Sequence, residues 1–208
     1  MFDTESMIKN RKVEHIADGI TQVHKLYLQR GFKITHMHTD CEFEPLRKDM
    51  TALGIKLNFA SKKEHVPEIE RFIRTIKERV RSARSTMPFK RISNLMIVHL
   101  VASAIFWINA FPPSTPGAGL SDTKGPGKII LGNTVNYKKV CRLHPGEYVQ
   151  AHQEDEPRNT IDIDRTVSAI ALGPQYNLQG GFFFKSLQTG KCLRRSHWTP
   201  VNMTEDGI

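Results

Sequence analysis

Thr35-His36-Met37-His38-Thr39-Asp40 and, thirty positions on, Ile69-Glu70-Arg71-Phe72-Ile73-Arg74 are the stretches that decide how this chain reads. The first is an extended run ending on a carboxylate, and its period of two puts His36, His38 and Asp40 on one face. The second opens just after Pro67, a residue suited to the first turn of a helix. A strand end and a neighbouring helix that each deliver a carboxylate can together hold a hard divalent cation against phosphate oxygens.

Working outward, residues around Leu46 to Leu53, stopped by Gly54, read as a short helix, and Ile55 to Ala60 as a second strand. Strand, helical crossover and strand make a parallel pair. Upstream, Val13, Ile16, Ile20, Val23 and Tyr27 recur at three- and four-residue steps, predicting an amphipathic helix over Thr4 to Arg30 that ends near Gly31. Downstream, Ile69, Ile73, Ile76 and Val80 mark an apolar stripe at helical spacing, with Glu70, Arg71, Arg74 and Lys77 off it. The run from Ile92 to Phe111 is nearly apolar all round but carries Ser93, Asn94, His99, Ser103 and Asn109, which predicts a buried core helix and no membrane span.

Pro112 to Gly117 is the strongest boundary signal, giving an expected division into 1–112, a linker over 113–140, a β-rich region over 141–203 and a tail over 204–208. Beyond the boundary, Tyr148 to His152, Thr166 to Leu172, Gly181 to Leu187 and Gly190 to His197 are short β-prone runs between turn residues. That spacing predicts a small antiparallel barrel or sandwich.

The 208 residues carry 30 Lys and Arg against 21 Asp and Glu, a net charge of +9, which makes nucleic acid a natural partner. The excess is concentrated: Arg71, Arg74, Lys77, Arg79, Arg81, Arg84, Lys90 and Arg91 stand close together, with Glu78 among them. Cys41, Cys141 and Cys192 are widely spaced and form no Cys-x-x-Cys pair, which suggests neither a disulfide framework nor a zinc knuckle, and points to an intracellular, reducing setting.

Asp40 and Glu70 are the candidate metal and catalytic residues, with Arg71, Arg74, Lys77 and Arg79 as phosphate contacts. The plainer reading makes Asp40 a turn cap and Glu70 an exposed partner of Arg74 one turn on. His36, His38 and Asp40 would also suit zinc in a hydrolase, although Cys41 stands where a further histidine belongs. Gly125-Pro126-Gly127-Lys128 lacks the first glycine and the hydroxyl residue of a phosphate-binding loop and reads as an ordinary loop. Arg194, Arg195, His197 and Trp198 form a basic-aromatic cluster that fits either nucleic acid or a last strand turning its Trp inward.

In order, these pieces resemble the integrase region of copia-type retroelement polyproteins. Ile69-Glu70-Arg71-Phe72-Ile73-Arg74-Thr75 is similar to the start of that family's third-carboxylate helix, and Leu53-Gly54-Ile55-Lys56 with Ser61 to its second strand and loop. Asp40-Cys41-Glu42-Phe43 resembles its second-carboxylate turn, two residues shorter. Phe106 to Pro112 is similar to the family's next helix end, and Ile130-Leu131-Gly132, Tyr137 and Gly146 to Val149 to the segment leading into its C-terminal region. The resemblance implies a partial α/β ribonuclease-H-like core, its first strands missing, followed by a small mostly-β barrel-like region. It also implies Asp40 and Glu70 as the second and third members of an Asp, Asp, Glu triad. The activity would be Mg²⁺- or Mn²⁺-dependent processing and joining of DNA ends, with DNA and a second copy as partners and the nucleus as location. Asp3 and Asp18 do not lie on a strand that could supply the first carboxylate, so a fragment or decayed copy, inactive by itself, is expected. The alternatives are a non-enzymatic nucleic-acid-binding module and the zinc hydrolase.

Overall fold

The computed structural model describes residues 10, 12–60, 67–113, 121–132, 134–153, 164–177 and 179–202. It divides into two compact units, Met1–Thr75 with Ile108–Asn133 and Ile76–Trp107 with Thr134–Ile208. The architecture is mixed α/β, with a two-stranded parallel sheet and a five-stranded antiparallel one.

The first unit is built on helix α1 (Val13–Gln29), strand β1 (His36–Asp40), a 3₁₀ turn (Cys41–Leu46), helix α2 (Arg47–Ala52) and strand β2 (Lys56–Ala60). The parallel pairing runs from His36↔Lys56 to Asp40↔Ala60, as the crossover pattern predicts. The strand expected from Phe32 forms only from His36, because β2 begins opposite that residue and Lys56 N–H closes the ladder on the Thr35 carbonyl at 2.9 Å. Leu46, Met50 and Ile55 make the centre of the core, and Ile16, Ala17 and Ile20 of α1 pack on it with Met37 and Leu57 from the inner face of the strands. Gly54, at φ 73, takes the left-handed conformation that stops α2. The part of the predicted first helix before residue 10 lies outside the described residues.

Helix α3 (Pro67–Ser85) and helix α4 (Asn94–Ala110) each belong in part to both units. Met96, Leu100, Ala104, Ile105 and Asn109 of α4 are buried, so it is the core helix that its composition predicts. No described helix is long and apolar enough to cross a membrane. Gly125 to Lys128, expected as a loop, instead cap and begin helix α5 (Pro126–Leu131), with Pro126 in its first turn and Gly132 in the left-handed conformation after its end. Gly125 makes this possible, since a Cβ there would run into the Ala110 carbonyl. A further single turn, α6 (Tyr137–Val140), lies in the second unit.

That unit carries β3 (Tyr148–His152), β4 (Thr166–Pro174), β5 (Phe182–Ser186), β6 (Cys192–Arg195) and β7 (Trp198–Pro200), in the sheet order β6-β5-β4-β3-β7. β4 is buried on both faces. Ala169 and Ala171 join Leu143, Val149, Ala151, Phe182 and Phe184 on one side, while Ile170 and Leu172 meet Met96 of α4 on the other. A register shift between Ala171 and Gly173 bends the strand. Among the described residues the sheet is not closed into the expected barrel, for its hydrogen-bonded order ends at β6 and β7. It is nonetheless strongly curled. β6 and β7 are separated in sequence by Ser196 and His197 alone, so Arg195 and Trp198 lie within about 11 Å. Four strand spacings in a flat sheet would hold those edges about 19 Å apart.

Candidate nucleic-acid interface

Helix α3 is the cationic element that the sequence singles out. Its apolar stripe does not behave as an ordinary amphipathic face: Ile69 and Ile73 are 43% and 44% exposed. About a quarter-turn round the helix from that stripe, Glu70, Arg74, Lys77, Arg81 and Arg84 follow one another at alternating steps of four and three residues, which is one continuous row along a helix. All five are exposed. Arg84 Nη2 also donates to the Lys90 carbonyl at 3.4 Å, fixing the far end of the row to the turn beyond the helix.

The four cations named from sequence therefore do not share a face. Arg74 and Lys77 lie in the row and Arg71 lies beside it. Arg79 falls about 160° round the helix from Lys77. Arg81 and Arg84 complete the row in its place, and the signal for them is the four-three spacing rather than charge density.

Asp40 ends β1 and caps the 3₁₀ turn, its Oδ1 accepting from the Cys41 N–H at 2.7 Å. An oxygen whose lone pair meets an otherwise orphaned turn amide is a structural feature on its own. The turn is pinned further by Arg47, whose Nε and Nη2 donate to the two Glu44 carboxylate oxygens at 2.8 and 3.1 Å. That hydrogen bond and the carboxylate charge hold the Arg47 guanidinium above its usual value. Its Cζ lies 4.7 Å from the Phe59 ring centroid. His36, His38 and Asp40 do share an exposed strand face. His36 Nδ1 is 3.0 Å from Thr35 Oγ1 and His38 Nδ1 is 3.2 Å from Asn58 Nδ2. Among the described residues no three His, Cys, Asp or Glu side chains come together as a metal-ligating group.

The C-terminal basic-aromatic cluster is resolved by packing. Trp198 turns inward, 4.9 and 5.4 Å from the Phe182 and Phe184 ring centroids, with the Arg142 guanidinium 4.2 Å over its own. Arg194 lies over Phe183 at 5.6 Å. Nearby, Cys192 Sγ stands 3.9 Å from His99 Nε2; burial lowers the His99 pKa and pushes the Cys192 thiol up, the latter offset in part by Arg194.

No family model and no curated protein matches the chain. Among solved structures, a chain of the cryo-EM structure of the simian T-cell lymphotropic virus intasome in complex with PP2A regulatory subunit B56 gamma is similar to it. The TM-score is 0.41 and the identity 13%, over 92% of this chain and 63% of that one. The present chain thus spans less than two thirds of its length, and the likeness is a distant one.

Proposed function

We propose that this chain is a DNA-binding protein of integrase-like ancestry that takes duplex phosphates along α3. The observation that carries the reading is the exposed row Arg74, Lys77, Arg81 and Arg84. It runs for about 15 Å, long enough to meet several phosphates of one strand. Glu70 at the head of such a row would repel phosphate unless a cation stood between them. Mg²⁺ is commonly held by one or two carboxylates together with substrate phosphates, and Asp40 and Glu70 are the groups proposed to hold Mg²⁺ or Mn²⁺ here. Metal-bound phosphate oxygens would supply the activation for DNA-end chemistry. The chain carries matches to two of the three triad carboxylates, so we assign it binding without end joining when it acts by itself.

A non-enzymatic binding module is the second reading, favoured by the commitment of Asp40 to the Cys41 N–H. Duplex affinity measured across NaCl concentrations tests the shared claim: Lys77→Gln with Arg81→Gln should lower the slope of log K against log salt by about 2. An unchanged slope overturns the α3 interface. Mg²⁺ separates the two readings, for it should tighten binding by the parent and not by Glu70→Gln if the carboxylates hold it. Equal affinity in both proteins with and without Mg²⁺ leaves the module. Joining of DNA ends by the purified chain would overturn the assignment of binding alone.

A further inference from the structure

A second surface, built from aromatic rings and sharing no residue with α3's cationic row, lies within the Ile76–Trp107 and Thr134–Ile208 unit. Tyr176 stacks on Phe106 with ring centroids 3.7 Å apart and planes 23° from parallel. Phe106 meets the neighbouring Trp107 edge-on at 5.1 Å, and Trp107 lies nearly parallel to Tyr137, offset at 6.3 Å. The four rings form one chain of contacts, a ledge of two stacked pairs set edge-on to each other, in which Tyr137 is 45% and Tyr176 39% exposed. Tyr176 holds this position with φ 56, among the described residues the one non-glycine in the left-handed region. A bulky residue there is disfavoured, and such conformations concentrate at binding sites.

The charge beside the ledge selects its occupant. Lys138 and Lys139 follow Tyr137 on the same turn, both exposed. The Lys139 side chain packs against Gly180, its Cβ, Cδ and Cγ lying 3.2–3.3 Å from where a glycine Cβ would be, and so reaches the loop that carries Tyr176. Flat apolar rings with ammonium groups alongside match a ligand made of flat bases on a phosphate backbone, and stacking on a ledge requires bases that are not already paired. We infer that the Tyr137–Trp107–Phe106–Tyr176 ledge binds single-stranded nucleic acid by stacking unpaired bases, with Lys138 and Lys139 meeting the phosphates.

Fluorescence anisotropy on the full chain in physiological salt tests this with three probes: a twelve-nucleotide oligothymidylate, an abasic strand of the same length, and a twelve-base-pair duplex. The thymidylate should bind about tenfold more tightly than the abasic strand, the size of effect expected for one or two stacked bases. Tyr176→Gly with Tyr137→Ala should abolish that difference, and glycine suits φ 56, so the loop is not put at risk. Tyr137→Phe with Tyr176→Phe keeps the rings and should keep the preference. Duplex binding should be unchanged in both variants, whereas failure of the α3 reading would appear in the duplex probe alone. Equal binding of thymidylate and abasic strands by the parent, or an undiminished preference in the ring-deleted variant, overturns the inference.

Discussion

Asp40 can be assigned two tasks, and they separate by substitution. Asparagine keeps the side-chain oxygen that accepts from Cys41 N–H, so Asp40→Asn should leave stability nearly unchanged, whereas Asp40→Ala should cost about 1 kcal/mol in urea denaturation. His99 gives a second residue-scale outcome. Its burial against Phe183, with ring centroids 5.0 Å apart, lowers its folded pKa below the ordinary 6.5, so the unfolded chain takes up the proton first. The stabilising contribution is therefore present above pH 6.5 and is lost as pH falls through the lowered folded value. The urea midpoint should fall over that acidic window, and His99→Gln should flatten the fall. Trp198 shows where single residues escape sequence reading: a Trp after Arg194 and Arg195 suits a base or a core equally, and only the placement of Phe182 and Phe184 decides.

At the scale of elements, hydrophobic period carried most of the information. The alternation in Tyr148 to His152 gives β3 to the residue, and the steps of three and four in α1 and α3 give those helices. What a period does not reveal is whether a face has a partner. The stripe of α3 is as regular as that of α1, yet Ile16 and Ile20 pack on a core while Ile69 and Ile73 stand well exposed. Ile73→Gln should consequently change stability by no more than about 0.5 kcal/mol by thermal denaturation, where Ile55→Ala, in the buried cluster, should cost about 2–5 kcal/mol. The helix α5 was hidden for another reason. Gly125 and Gly127 read as loop residues, but both stand where little else fits beside Asn109 and Ala110, a close approach that local sequence does not announce. The candidate site was legible in part: the cationic helix and the exposed face of β1 follow from residue type and spacing, whereas the cap role of Asp40 depends on the geometry of the turn that follows it, which residue type does not announce.

Across the whole molecule, charge and connectivity set the limits. Six cations and three acids lie on α3, so the helix holds three of the nine net positive charges. Neutralising it should weaken attraction to polyanions without ending it, which is why a change in slope tests the α3 reading better than loss of binding. Connectivity has a consequence in time. The strand that covers the open edge of β3 is β7, whose register pairs Val149 with Pro200 and Ala151 with Trp198. During synthesis β3 leaves the ribosome some fifty residues before its second neighbour does, at about 5–20 residues per second. Through those seconds its backbone groups face outward and the space for the Trp198 ring stands empty, so the nascent chain offers an aggregation template until β7 emerges. A chain ended after His197 is therefore frozen in that interval, and should collect in the insoluble fraction on expression while the full chain does not.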